Sequence, residues 1–134
     1  MAGVIYRHDA SRGHDTGAHP ERIARIVAIE QELEAREWLG YAVCDSPAAT
    51  AEQLHAVHGA AYVAGLQAAC AAGGGALDAD TVVSRGSFAA ASHAAGGACA
   101  LVDALLTGTA AVGASLHRPP GHHADADRAM GSAF

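Results

Sequence analysis

The sequence contains no lysine, and its 8 basic residues are outnumbered by 14 acidic residues, which gives a net charge of −6. A protein that binds mainly to nucleic acid needs clustered basic residues to displace counterions, so nucleic acid is disfavoured as a direct partner. Aromatic residues make up only 4% of the chain, and its apolar content is dominated by alanine. The three cysteines are odd in number and lack a paired spacing, which is typical of reduced thiols rather than of a disulfide framework. We therefore expect a cytoplasmic protein with a core of small side chains.

Long runs of large apolar residues are also missing. The alanine-rich segments 60–77 and 88–106 are interrupted by Gln67, His93 and Asp103 and lack the Leu, Ile and Phe density of a membrane span. The first residues show no basic region followed by a long apolar run and no cleavage signal. No membrane partner is expected. At 134 residues the chain suits one domain, and its abrupt end at Phe134 suggests an unfinished one.

Three short apolar runs predict β-strands, at 4–6, 41–44 and 111–116, the last being apolar enough to be buried on both faces. Helices are predicted between them. Pro20 suits the first position of a helix that Gly40 ends, with an apolar stripe opposite Glu30. Strands that alternate with helices indicate an α/β domain with a parallel sheet.

Three further helices are expected in the second half. Thr50 and Gln53 form a capping box for a short helix, and residues 60–72 form another that the glycines 73–75 end. Ser87 is expected to cap a long helix to Leu106. The pair Gly96-Gly97 inside it costs about 1 kcal/mol per glycine relative to alanine, which suggests close backbone packing against a neighbour.

The densest chemical signal is the segment His-Arg-Pro-Pro-Gly-His-His-Ala-Asp at 117–125. The two prolines stiffen the loop that follows the third predicted strand. This loop is expected to deliver His122 and His123 to the carboxyl end of the sheet, where α/β proteins form ligand sites. Histidine is the side chain best suited to exchange protons near neutral pH. A pair of solvated loop histidines is the alternative interpretation.

The run Arg-Pro-Pro-Gly-His-His-Ala at 118–124 resembles the signature loop of the zinc-dependent histone deacetylase and acetylpolyamine amidohydrolase superfamily, particularly its class II-like and bacterial members. Other segments resemble the family in the same order. They are His-Pro-Glu-Arg at 19–22 with Arg25-Ile26, then Leu54, Val57-His58, Tyr62-Val63, Asp80-Thr81, Ser87, Ala89-Ala90 and Ala95-Gly96-Gly97. The resemblance implies the three-layer parallel-sheet arginase/deacetylase fold, incomplete in this chain. Residues 1–134 would be the N-terminal part of a single deacetylase-like catalytic domain.

The resemblance also implies roles for the tandem histidines. His122 and His123 resemble the pair that orients the attacking water and moves protons, the second being the usual general base and then general acid. In the family each is backed by a carboxylate, which here would lie downstream of Phe134.

Four other residues are assigned to the site, three of them by the same resemblance. Asp80 resembles the rim aspartate that holds the substrate backbone, and Gly131 resembles the glycine that lines the acyl tunnel. Gly121 is expected to bind substrate beside the histidines. Arg25 resembles the buried arginine near the internal channel through which acetate leaves.

Ser132 departs from the family, which usually has a tunnel aromatic directly after the glycine. Its small side chain leaves room for a bulkier or more polar acyl-amide than acetyl-lysine. Acetyl-lysine in protein, an acetylpolyamine and another small amide remain alternative substrates.

The family's cofactor is zinc, held by an Asp-x-His pair and a further Asp that lie downstream of the histidine loop, as does its catalytic tyrosine. None of these residues can be assigned in 1–134, and a catalytic zinc needs three protein ligands. We therefore expect no metal ligands in this chain and no efficient turnover by it alone. A truncated binding or homo-oligomerisation module and a histidine-rich metal-binding protein are the other hypotheses.

The remaining histidines have plainer interpretations. His8, His14 and His19 are expected to be ordinary surface residues. His55 and His58 are expected to cap or pack a helix, and His93 to be an interior or interface residue with a satisfied ring.

Overall fold

The computed structural model describes residues 3–134. Five strands are present: β1 (Gly3–Arg7), β2 (Ala42–Asp45), β3 (Gly75–Ala76), β4 (Val82–Val83) and β5 (Val112–Leu116). Strands β1, β2 and β5 form a parallel sheet in the order β2-β1-β5, whereas β3 and β4 pair as an antiparallel hairpin. In the parallel sheet Ile5 faces Val43 on one side and Ala114 on the other. The three predicted strands and the parallel α/β class are confirmed.

Four α-helices connect the strands: α1 (Ile23–Ala35), α2 (Ala51–His55), α3 (Ala60–Ala71) and α4 (Ser87–Leu106). Two 3₁₀ segments, Asp9–Gly13 and Glu37–Gly40, flank α1. The predicted capping box is present, since Thr50 Oγ1 accepts from the backbone N–H of Gln53 at 3.1 Å and the Gln53 side chain accepts from that of Thr50 at 2.9 Å. Because the two bonds satisfy the backbone N–H groups of Thr50 and Gln53, they fix where α2 begins.

The predicted bounds and polar face of α1 are wrong. The helix begins at Ile23 rather than Pro20, and it ends at Ala35. Beyond it, Glu37, Trp38 and Leu39 have positive φ angles, so the short segment Glu37–Gly40 is a left-handed turn and not a continuation of α1. Glu30, expected on the polar face, is buried.

Two ion pairs explain the burial of Glu30. Arg7 Nε donates to Glu30 Oε1 at 2.8 Å, and Arg12 Nη2 donates to Glu30 Oε2 at 2.5 Å. These pairs lower the pKa of Glu30 although burial opposes the shift. Helical periodicity could not show them, because both arginines lie in an earlier part of the chain.

Helix α4 packs against β1, β5 and the 3₁₀ segment Asp9–Gly13. Its first residue is Ser87, so Gly86 takes the capping position in place of the predicted Ser87. A Cβ at Gly96 would lie 2.0 Å from the carbonyl oxygen of Pro47, and one at Gly97 would lie 2.5 Å from Ser46 Oγ. The expected close backbone approach is confirmed.

By length and composition alone α4 is apolar enough to cross a bilayer, which the composition of segment 88–106 did not predict. Core helices of soluble proteins meet the same criterion. In this structure α4 contacts β1 and β5, and 22% of its apolar window is buried.

The buried hydrophobic residues of the described chain include two small clusters. Leu66, Cys70, Val83 and Phe134 are buried together between α3, the hairpin and the end of the chain. Val4, Ala104 and Ala110 are buried between β1 and the end of α4.

Strand β5 is not buried on both faces as expected. Within residues 3–134 it pairs only with β1, and Val112 is 49% exposed. As an edge strand of the described residues, β5 also leaves one row of backbone groups unpaired.

Candidate functional site

The carboxyl ends of the three parallel strands bring histidines together. Strands β1, β2 and β5 are followed directly by His8, Ser46 and His117. Ser46 Oγ lies 2.6 Å from His117 Nε2, and Ser115 Oγ lies 2.9 Å from His117 Nδ1. His93 of α4 donates from Nδ1 to the carbonyl of Ser46 at 2.8 Å. We call His8, Ser46, His93 and His117 the sheet-edge cluster.

The imidazoles of the sheet-edge cluster are close together. His8 and His93 stack with ring centroids 3.6 Å apart and planes 6° from parallel. Burial, together with the nearby charges of His8, His93 and Arg7, lowers the pKa of His117 to about 4. His117 is therefore neutral at pH 7, with one ring nitrogen donating and the other accepting.

Sequence reasoning missed this cluster. His8 was expected at the surface, and it is instead half-buried against α4. The available signal was positional, because His8, Ser46 and His117 each follow a strand that ends at the same edge of a parallel sheet. The expectation that His93 has a satisfied ring is confirmed by its bond to Ser46.

The diproline loop begins beside this cluster and carries the tandem histidines. Arg118 at its start is 3% exposed, whereas His122 and His123 are exposed. The two imidazole centroids lie 4.1 Å apart with planes tilted by 50°. The backbone N–H of Phe134 donates to the carbonyl of Pro120 at 3.2 Å, which holds the end of the chain beside the loop.

Gly131 lies against the second histidine. A Cβ at Gly131 would lie 3.1 Å from His123 Cγ, and its φ is +59°, so a larger residue would be both crowded and strained. The structure thus brings together His122, His123 and Gly131.

Gly121 borders a cavity rather than the two imidazoles. This cavity of about 320 Å³ lies between α4, the end of β5 and the loop, and Ser115, His117 and Pro119 also line it. His122 and His123 are not among its lining residues. Gly121 is therefore accessible from a space next to the sheet-edge cluster.

Asp80 lies on the turn of the β3–β4 hairpin and is held from two other parts of the chain. His19 Nε2 lies 2.7 Å from Asp80 Oδ1, and Ser132 Oγ donates to the Asp80 carbonyl at 3.2 Å. The backbone N–H of Ser132 donates to Thr81 Oγ1 at 3.2 Å. Because Ser132 follows Gly131, these bonds connect the Asp80 turn to the residues beside His123.

The predicted burial of Arg25 is wrong. Its side chain is 61% exposed, and its contact with Glu21 is long, at 3.7 Å. Arg25 lies on the first turn of α1, one position from the buried Ile26, and points away from the interior. The buried arginine of this region is Arg118, whose Nε and Nη2 donate to the two oxygens of Glu21 at 2.7 and 2.8 Å.

The expectation that His14 is a surface residue is also wrong. His14 is 1% exposed, its Nδ1 lies 2.7 Å from Ser87 Oγ, and its Nε2 lies 3.5 Å from Glu21 Oε2. Burial would raise the pKa of Glu21, but hydrogen bonds from His14 and Arg118 outweigh it and hold the pKa at about 2. Glu21 thus stays ionised in the interior.

The structure can be compared with the predicted surface position of His19 and the predicted helix capping or packing by His55 and His58. His58 packs on Tyr62 with ring centroids 5.3 Å apart and donates from Nδ1 to the carbonyl of Ala126 at 3.1 Å. His55 is exposed in the last turn of α2. His19 is bound to Asp80, so it is more than a solvated side chain.

No group of three or more His, Cys, Asp or Glu side chains in residues 3–134 is arranged to hold a metal ion. The arrangement offers imidazoles for proton transfer and a carboxylate and backbone groups for substrate contact.

Residues 19–134 match the histone deacetylase domain family. The chain belongs to this family. It is 39% identical over 125 residues to a histone deacetylase-like amidohydrolase of Pseudomonas aeruginosa, a match that covers 93% of this chain and 32% of the relative. It is also 37% identical over 119 residues to a probable deacetylase of Methanothermobacter thermautotrophicus, with 88% of this chain and 35% of the relative covered.

Comparison of the fold with solved structures indicates the same family. The crystal structure titled "Crystal Structure of HDA15 HD domain" matches with a TM-score of 0.94 and 26% identity, covering 99% of this chain and 40% of that one. The histone deacetylase fold and the recognised family are thereby confirmed. The chain spans about a third of the length of the curated relatives that it matches.

Proposed function

We propose that this histone deacetylase domain chain supplies the proton-transferring part of a site that hydrolyses acylated amines. In the proposal His123 removes a proton from the attacking water and then, protonated, donates it to the leaving amine. His122 stabilises the charge that develops in the transition state. These steps suit a pair of imidazoles, which exchange protons near neutral pH.

The observation that carries the proposal is the position of the two rings. Their centroids lie 4.1 Å apart, both are exposed, and His123 contacts Gly131. One bound group could therefore touch both rings at once. Membership of the deacetylase family supports the assignment of this pair to acyl-amine hydrolysis.

Substrate contact is proposed for Asp80, Gly121 and Gly131. The Asp80 carboxyl is 64% exposed while His19 holds one of its oxygens, so the other oxygen is available to a substrate amide N–H. Ser132 supplies no aromatic wall beside Gly131, and its hydroxyl is turned to the Asp80 carbonyl. We propose acetyl-lysine, with an acetylpolyamine or a bulkier acyl-amide as the alternative.

The zinc implied by the family does not fit the described residues, because residues 3–134 contain no cluster able to hold it. We propose that its ligands belong to polypeptide outside these residues. A role for Arg25 at an acetate channel and a cytoplasmic location stay predictions.

A chimera tests the proposal. Residues 1–134 would replace the matched region of the Pseudomonas aeruginosa relative, and hydrolysis of an acetyl-lysine peptide and of an acetylated polyamine would be compared. We expect turnover by the chimera and none by the isolated chain. His123→Ala should reduce kcat by about 100-fold or more with zinc content unchanged. Full activity of that variant, or loss of its zinc, would contradict the assigned role.

Self-association is a second candidate function. Exposed apolar side chains include Leu106, which is 81% exposed, Val102 and Val112, at the end of α4 and on the edge strand β5. Such side chains favour association. Sedimentation of the chain should then show a concentration-dependent oligomer, and a monomer at all concentrations would exclude this function.

A further inference from the structure

Arg118 joins two segments that lie about a hundred residues apart in the sequence, the histidine loop and the loop before α1. Its Nη1 donates to the carbonyls of Ser11 at 2.9 Å and His14 at 2.7 Å. Its Nε and Nη2 donate to both oxygens of Glu21, and its backbone N–H donates to Ser11 Oγ at 3.1 Å. The side chain is thus bonded in a fixed orientation on several sides.

This arrangement specifies geometry more than it adds stability. A buried ion pair loses in desolvation much of what it gains in attraction, whereas breaking it leaves an uncompensated charge. The planar guanidinium meets the carboxylate in a two-pronged contact, which a lysine ammonium cannot reproduce. Replacement of either partner should therefore change the position of the chain that Arg118 holds.

Within residues 3–134, the tandem histidines have few hydrogen-bonding partners of their own. Among the hydrogen bonds found within residues 3–134, none involves the imidazole of His122 or His123. Both residues are exposed, their ring centroids lie 4.1 Å apart, and a Cβ at Gly131 would lie 3.1 Å from the His123 ring. The nearest buried charged residue along the loop is Arg118, separated from His122 by two prolines and a glycine.

We propose that Arg118 and Glu21 are a positioning pair that sets the orientation of the His122 and His123 imidazoles. This inference rests on the proposed function only for the role of that orientation, which is proton transfer by the two histidines. Because the prolines limit rotation of the intervening backbone, a displacement at Arg118 is transmitted to the histidines. Neither residue of the pair touches the reacting groups.

The test uses NMR on the full 134-residue chain, with Arg118→Lys and Glu21→Gln as variants. Glu30→Gln is the matched control, because Glu30 is also a buried carboxylate paired with arginines, Arg7 and Arg12. The readouts are the imidazole ¹H–¹⁵N signals of His122 and His123 and the NOE between the His123 ring and Gly131. Circular dichroism checks that each variant is folded.

We expect the two pair variants to shift both imidazole signals and to weaken the His123–Gly131 NOE at least twofold, while Glu30→Gln leaves them as in the unsubstituted chain. Unchanged signals in folded pair variants would overturn the proposal. Equal changes in Glu30→Gln would also overturn it, as would unfolding of both pair variants with the control intact, because the effect would then be general destabilisation. Since no turnover is measured, this result is independent of whether the chimera hydrolyses acetylated amines.

Discussion

His19 and Asp80, 61 positions apart, share a hydrogen bond of 2.7 Å between Nε2 and Oδ1. The other ring nitrogen of His19 accepts from the backbone N–H of Glu21 at 3.0 Å, so His19 donates to Asp80 from Nε2. This bond joins the loop before α1 to the hairpin turn. It therefore fixes the carboxylate proposed to contact substrate.

The first prediction concerns this pair. His19→Ala should lower the free energy of unfolding by about 0.5 to 1 kcal/mol, the usual range for an exposed charge-assisted bond. Urea denaturation measures the change. In a double-mutant cycle with Asp80→Ala the two effects should not add, because each substitution removes the same bond. Additive effects would show that the two side chains are not coupled.

The second prediction concerns acid stability. The pKa of His117 is about 4 in the folded chain against an ordinary 6.5, so the unfolded chain takes up the proton first. The stabilisation is complete above pH 6.5 and is lost as the pH falls towards 4. We expect the free energy of unfolding to fall by about 1 kcal/mol between pH 7 and pH 5, a value that allows for solvent screening of the partly exposed ring.

His117→Gln should remove that part of the pH dependence, because an amide can donate and accept but does not titrate in this range. His55→Gln, at an exposed position, is the control and should leave the profile unchanged. Below pH 4.5 a further loss is expected, since the pKa of Glu21 is held at about 2 and its protonation weakens the pair with Arg118. An unchanged profile in His117→Gln would contradict the assignment to this ring.

The third prediction compares two helical glycines. Gly96→Ala should destabilise the chain by about 2 kcal/mol or more, because the added Cβ would meet the backbone of Pro47 and Ala49. Gly65→Ala in α3 meets no atom within 4 Å and should stabilise by about 0.5 to 1 kcal/mol. Thermal unfolding of both variants measures the two changes in stability. Similar melting temperatures would refute the packing described for α4.

The fourth prediction concerns metal. Isothermal titration of the chain with zinc should show no stoichiometric tight binding, because residues 3–134 contain no suitable cluster. Tight uptake of one equivalent would instead favour the histidine-rich metal-binding hypothesis. Titration of the His122→Ala and His123→Ala variants would then show whether the loop binds that ion.

The strands and most helices were predictable because their signals are local. Thr50 and Gln53 lie three positions apart and specify the start of α2 without help from elsewhere. Gly96 and Gly97 likewise predicted a close backbone approach, although they did not show which segment lies against them. The Arg-Pro-Pro-Gly-His-His run identified the family together with the upstream segments that match it in the same order.

The failures involve contacts between distant parts of the chain. Glu30 has the sequence context of a solvated helix residue, and its burial depends on arginines from β1 and the following 3₁₀ segment. His14 carries no local sign of burial, because its partners Ser87 and Glu21 lie on other elements. The candidate site was therefore predicted at the histidine loop but not in the buried network beneath it.

The glycine pair of α4 has a consequence beyond helix packing. A Cβ at Gly97 would lie within 2.7 Å of His117 Nε2 and Cε1, so the ring occupies the space that a side chain would otherwise fill. His93 approaches the same serine from the preceding turn of the helix. A single methyl group at position 97 would push the rings apart, and the shared serine could no longer hold both.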